Sequence, residues 1–132
     1  MTFVLPDTSV WARSHLETVH PFLDAAIRSD RVVTTGPIVL ELLRRARDRR
    51  DLERQARHYD ALPRVSDTLP LADRARSVQE VLGWRGYHRG PSAVDLLTAA
   101  AAEAVGAELW HCDRHFELIA EVTGQPMRRL GG

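Results

Sequence analysis

Phe3-Val4-Leu5-Pro6-Asp7-Thr8-Ser9-Val10-Trp11 begins with three apolar residues and stops at Pro-Asp-Thr-Ser. A short apolar run closed by turn formers reads as a buried strand. Asp, Thr and Ser are helix-start residues. The stretch therefore predicts strand, tight turn and helix, with a carboxylate at the strand's carboxyl end. Pro6 removes one backbone N–H at that point.

The same grammar recurs downstream. Arg31-Val32-Val33-Thr34-Thr35 is β-branched and closes at Gly36-Pro37, and proline at a first helical position predicts a helix from 37. Ala107-Glu108-Leu109-Trp110-His111 follows Gly106 and ends at Cys112-Asp113. Pro126-Met127-Arg128-Arg129-Leu130 is a weaker run, and Val65 seeds one more short extended piece. Apolar residues at helical spacing predict helices over 20–29, 38–57, 71–83, 93–105 and 116–123. The 38–57 helix carries Ile38, Leu42, Leu43 and Ala46 on one stripe and then turns polar. Gly83-Trp84-Arg85-Gly86-Tyr87-His88-Arg89-Gly90-Pro91 reads as a loop, because three glycines and a proline break helix. Strands alternating with helices of about ten residues predict an α/β fold with a mostly parallel sheet covered on both faces. At 132 residues, one domain over 1–132 is expected, large enough to bury its own core.

Composition narrows the function. Eighteen basic residues, all arginine, balance eighteen acids. Neutrality excludes binding of nucleic acid by bulk charge. The distribution is uneven: twelve arginines and eight acids lie in 41–90, against three and six in 91–132. The arginine run from Arg44 to Arg57 reads either as a solvated helix face, with pairs such as Asp48–Arg44 or Glu53–Arg57, or as a phosphate track. Arg85 and Arg89, with Trp84, Tyr87 and His88, make the glycine-rich loop a candidate for phosphate contacts and base stacking. A lone Cys112 rules out an intramolecular disulfide and fits a reducing compartment. The N-terminal stretch has no basic segment before its short apolar run, so no signal peptide is expected. No run approaches the roughly 20 apolar residues of a membrane helix. A soluble cytoplasmic protein is the expectation. The six histidines show no metal-ligand spacing, and each is expected at the surface or partly buried.

Four acids stand at element ends. Asp7 and Asp113 follow strands, which places them on the edge where parallel sheets bind ligands. Asp95 falls in the first turn of the alanine-rich helix, and Glu41 in the second turn of the helix opening at Pro37. Singly each has a structural reading: Asp7 as an N-cap, Asp95 in a capping box with Ser92, Asp113 as a turn residue, Glu41 on an exposed face. Together they form an all-oxygen set suited to Mg²⁺ or Mn²⁺. Such a site can hydrolyse phosphodiesters.

These motifs, Asp7-Thr8-Ser9-Val10-Trp11, Glu41-Leu42-Leu43, Asp95-Leu96-Leu97-Thr98-Ala99-Ala100 and Cys112-Asp113-Arg114-His115-Phe116, resemble the PIN domain in order and spacing. Within that family the layout is similar to the VapC toxins of bacterial toxin–antitoxin pairs. The resemblance runs over roughly residues 3–130. It implies a three-layer α/β/α sandwich and a Mg²⁺- or Mn²⁺-dependent endoribonuclease cutting tRNA or ribosomal RNA. Asp7, Glu41, Asp95 and Asp113 match the acidic quartet, and Thr8 or Ser9 the supporting hydroxyl. It further implies a VapB-type antitoxin, a homodimer and products with 5′-phosphate and 3′-hydroxyl ends. Many members carry a further acid where His115 stands here; Glu117 is near but off that pattern. Arg44, Arg45, Arg85 and Arg89 are the RNA-contact candidates. Two other readings stay open: a non-catalytic interaction module of the same fold, and another metal-dependent phosphoryl-transfer enzyme. A haloacid-dehalogenase-type phosphatase would need Asp-x-Asp after the first strand, where Asp7-Thr8-Ser9 stands.

Overall fold

The computed structural model describes residues 2–131. In chain order the elements are β1 (Val4–Pro6), α1 (Thr8–Ala12), α2 (His20–Arg28), β2 (Thr34–Thr35), α3 (Gly36–Leu43), α4 (Arg49–Asp60), β3 (Arg64–Val65), α5 (Leu69–Trp84), α6 (Ala93–Val105), β4 (Glu108–His111), α7 (His115–Thr123) and β5 (Met127–Arg129). Every strand pairing is parallel. β4 lies between β1 and β5, and β2 pairs with β3. A bridge between Val4 and Val32 joins the two pieces, through Val4 N to Arg31 O at 2.8 Å and Val33 N to Val4 O at 2.9 Å. The combined order is β3-β2-β1-β4-β5.

Burial shows that both sheet faces are covered. Val4, Leu5 and Pro6 of β1 are all buried, as are Leu109, Trp110 and His111 of β4. Successive strand side chains point to opposite faces, so an unbroken buried run means helices on each side. This is the three-layer arrangement expected. Fully buried His111 corrects the expectation that every histidine sits at the surface or is only partly covered. It ends a strand buried on both faces, and its ring packs on Phe116 at 5.2 Å between centroids.

Two element boundaries also differ. The helix expected over 38–57 is two helices, α3 and α4, interrupted at 44–48. Asp48 turns extended and accepts a hydrogen bond from Asp51 N at 2.8 Å, which starts α4 afresh. Because Asp48 caps the helix, the expected Asp48–Arg44 pair is absent. Glu53 pairs backwards with Arg49 at 3.0 Å, not with Arg57. The loop expected from Gly83 begins at Arg85, since α5 runs through Trp84. Gly86, at φ +78°, then reverses the chain. By contrast α6 spans 93–105 as expected, with Ser92 capping its start and left-handed Gly106 its end.

The order of the strands also fixes where a ligand can sit. Neighbouring strands β1 and β4 are entered from opposite directions of winding, so their carboxyl ends flank the switch point of the sheet. Ligands bind there in open α/β folds.

Candidate active site

Asp7 leaves β1 at that switch point. Its N–H donates to Trp110 O of β4 at 2.9 Å, and its carboxylate caps α1 by accepting from Ser9 N at 2.9 Å. The other oxygen accepts from Ser9 Oγ at 2.5 Å. Ser9 Oγ in turn accepts from Cys112 N at 3.0 Å. One hydroxyl thus locks the β1–α1 turn to the β4–α7 turn. The backbone of Cys112, not its thiol, carries this link; burial pushes the thiol above its ordinary value.

Asp113 follows β4 on the other side of the switch point. Its carboxylate accepts from His115 N at 3.0 Å, with His115 Nδ1 at 3.5 Å from the same oxygen. Its own N–H donates to His111 Nδ1 at 3.3 Å. Burial holds His111 below its ordinary value, so it is the neutral acceptor this contact needs. His111 orients Asp113, a role that its place in an apolar strand gave no sign of.

Asp95 completes the reciprocal capping box: its N–H donates to Ser92 Oγ at 3.1 Å, and Ser92 N donates to its Oδ2 at 2.9 Å. Because α6 runs against the strands, its first turn stands at their carboxyl edge. The capping box engages Oδ2 and, among the described residues, leaves the other oxygen of Asp95 without a hydrogen bond.

Electrostatics tie these three acids together. Asp7 is 6% exposed. Burial pushes its carboxyl from 3.8 up to about 6; the two Ser9 bonds pull it down, and the charges of Asp95 and Asp113 push it up again. Asp95 is raised mainly by burial, held back by Ser92, and pushed up by Asp113 while His115 opposes. Asp7 therefore feels both other aspartates and Asp95 feels Asp113, as expected for like charges sharing one mouth.

Glu41 joins from a different side. Thr8 Oγ1 donates to its Oε1 at 2.7 Å, which couples α3 to the residue next to Asp7. Thr8, Glu41, Arg44 and Arg45 line a cavity of about 240 Å³. Among the described residues neither Arg44 nor Arg45 makes an ion pair. The other predicted residues divide. Arg85 and Arg89 are exposed on the loop after α5. Glu117 is paired with Arg129 at 3.0 Å.

The donor set fits a hard divalent cation. It is all carboxylate oxygen, and an aspartate buried beside two others carries its charge readily only with a cation near. Among the described residues no three His, Cys, Asp or Glu side chains stand close enough together to hold a metal ion between them. Mg²⁺ does not require such a trio, because it keeps several waters and takes one or two carboxylates.

The family model of the PIN domain matches residues 4–122. The chain belongs to the PIN domain family. It is 33% identical to Ribonuclease VapC18 of Mycobacterium tuberculosis over 122 residues, covering 91% of this chain and 89% of that protein. It is 49% identical to Ribonuclease VapC2 of Mycobacterium tuberculosis over 70 residues, 53% of this chain; that match spans about half the relative's length (50%). Among solved structures, VapBC2 from Rickettsia felis bound to a promoter DNA fragment superposes with a TM-score of 0.78 at 12% identity. That superposition covers 98% of this chain and 99% of the other. Metal dependence is general among PIN-domain ribonucleases.

Proposed function

We propose that this chain, read as one PIN domain over residues 1–132, is a Mg²⁺- or Mn²⁺-dependent endoribonuclease acting as the toxin of a toxin–antitoxin pair. The observation that carries this is the buried Asp7 carboxylate at the sheet's switch point, raised by burial and by the neighbouring charges of Asp95 and Asp113, beside Glu41 held by Thr8. Kinship with ribonucleases supports RNA as the substrate, with tRNA or ribosomal RNA as the class.

Asp7 and Asp95 would hold the cation, with Asp113 completing the acidic mouth. Bound there, a divalent metal would supply charge neutralisation for the phosphate and a lowered pKa for water. Ser9 keeps the turns of Asp7 and Asp113 in register. Glu41 has Oε1 engaged by Thr8, so Oε2 is the atom that accepts a hydrogen bond from the attacking water. Arg44 and Arg45 line the same cavity and receive neighbouring phosphates as planar forks. No covalent nucleophile is required, which leaves Cys112 a scaffold residue.

A partner is expected by the same kinship: a VapB-type antitoxin. A cleft of about 200 Å³ includes Trp11, Leu23, Ile27, His58 and Tyr59 in its lining. A homodimer is expected by the same kinship. Among the described residues no helix is long and apolar enough to cross a membrane, and the free cysteine supports a cytoplasmic setting.

The test is cleavage of a tRNA and ribosomal RNA panel by wild type, Asp7→Asn and Asp95→Asn. Cleavage should need Mg²⁺ or Mn²⁺ and disappear in both variants. Equal cleavage by all three proteins, or activity unchanged by EDTA, refutes the assignment.

A further inference from the structure

A second cavity, of about 410 Å³, adjoins the acidic mouth without belonging to it. Tyr87 and Gly90 of the loop after α5 form one wall, and Arg114, His115, Leu118 and Glu121 of the β4–α7 turn and α7 form the other. The two walls meet closely because residue 90 is glycine. A Cβ there would stand 3.4 Å from His115 Cδ2 and 3.6 Å from Leu118 Cδ1. The loop is fixed by Tyr87 N donating to Leu82 O at 2.8 Å and Gly90 N to Tyr87 O at 3.1 Å. His115 is shared ground: it touches the Asp113 carboxylate on one side and lines this cavity on the other.

The chemistry of the lining suits a nucleobase more than a phosphate. Tyr87 and His115 offer ring faces for stacking, and Leu118 an apolar floor. Two carboxylates border the space. Glu117 is occupied by Arg129. Glu121 has no ion pair or side-chain hydrogen bond among the described residues, so its two oxygens are free acceptors. A carboxylate only accepts. Of the four RNA bases, guanine alone presents two adjacent donors, N1–H and N2–H₂, on its Watson–Crick edge. Adenine and cytosine each place an acceptor beside their amino group, and uracil flanks N3–H with two carbonyls. Unpaired RNA exposes that edge.

We propose that this cavity is a base subsite that takes an unpaired guanine next to the scissile phosphate, read by Glu121 and stacked against Tyr87 and His115. The inference rests on the ribonuclease reading and adds the sequence preference that reading lacks. Arg114 at the rim faces the flanking phosphate.

The probe is a seven-nucleotide oligouridine with one central guanosine, and counterparts with adenosine, cytidine or inosine at that place. Binding is measured by fluorescence anisotropy in Mg²⁺ with the Asp7→Asn protein, and cleavage of the same oligonucleotides with the wild type. The guanosine probe should bind at least tenfold tighter than the adenosine one, with inosine, which lacks the 2-amino group, in between. Adding Glu121→Gln should cut that preference below threefold. Tyr87→Ala should weaken all four probes by about tenfold without changing their order. In the wild-type background Glu121→Gln should raise KM for the guanosine probe far more than it lowers kcat. Both side chains are exposed, so neither change threatens folding. If wild type cleaves the probes but base preference is absent, or survives Glu121→Gln, the subsite is wrong and the nuclease reading stands. If wild type cleaves none and the Asp7→Asn protein binds none, the nuclease reading fails and the subsite with it.

Discussion

Replacing Asp7 by asparagine should make the metal-free protein more stable while abolishing its activity. The side chain is 6% exposed, and its carboxyl is raised from 3.8 to about 6. A difference of roughly two pKa units at 1.36 kcal/mol each makes the ionised group a liability of about 3 kcal/mol at pH 7. The sign comes from proton affinity. The folded state holds the proton more tightly than the unfolded chain, so the cost is fully present above pH 6. It shrinks as pH falls through that value, to about half at pH 5, and is gone below 3.8. Asparagine keeps an amide oxygen for Ser9 N, and its NH₂ can donate to Ser9 Oγ. Urea and thermal unfolding in EDTA should therefore show Asp7→Asn above wild type by about 2–3 kcal/mol at pH 7, or roughly 7–10 °C. The gap should close on acidification. Adding Mg²⁺ should bring the two proteins level, raising wild type by about 2.7 kcal/mol at a hundredfold excess over its dissociation constant and leaving the variant unmoved. A variant less stable than wild type at pH 7 in EDTA, or a gap that widens toward pH 5, refutes the reasoning.

The same geometry sets the outcome of other substitutions. Ser9→Ala removes the hydroxyl that joins Asp7 to Cys112 N. It should destabilise by about 1–3 kcal/mol in chemical unfolding, and the Asp7 carboxyl, read by NMR titration, should move further up. His111→Phe keeps the stack on Phe116 but leaves Asp113 N without its acceptor; a loss of about 1–3 kcal/mol and a drop in kcat are expected. Arg44→Ala with Arg45→Ala should lower RNA affinity for all sequences alike and flatten the log–log salt dependence by about 1.4. Asp51, buried and bonded by Arg47 N and Gln55, is held down to about 2. Its stabilisation should be complete above pH 3.8 and vanish as pH falls through 2, so Asp51→Asn should lower the melting midpoint at pH 7 and matter little at pH 2.

Where sequence reading succeeded, local signals and tertiary demands agreed. Ser92 and Gly106 bracket α6, and alanine fills the face between them, so both ends were legible. The strand before Asp7 and the strand before Asp113 showed as apolar runs because both are buried on two faces. The α3–α4 break was invisible for a physical reason. Arginine and alanine at 44–47 are good helix formers, and no glycine or proline marks the stop. Only Asp48 carried the signal, and an aspartate four residues from an arginine reads equally well as an ion-pair partner. The site shows the same division. Asp7, Asp95 and Asp113 stood out by their places at element ends, which the parallel topology brings to one edge. The Ser9–Cys112 and His111–Asp113 contacts span turns whose approach no spacing rule encodes. The cavity around Glu121 depends on Gly90 letting a loop meet α7, a long-range fit with no periodicity to reveal it.

The central claim is that water, activated at the Asp7–Asp95–Asp113 mouth, attacks the phosphorus. The chemistry of the cut ends tests this directly. An RNA cleaved by the wild-type protein in Mg²⁺ should carry 5′-phosphate and 3′-hydroxyl ends when its termini are analysed by mass spectrometry. Ends bearing 2′,3′-cyclic phosphate and 5′-hydroxyl, the signature of attack by the RNA's own 2′-hydroxyl, would contradict the account.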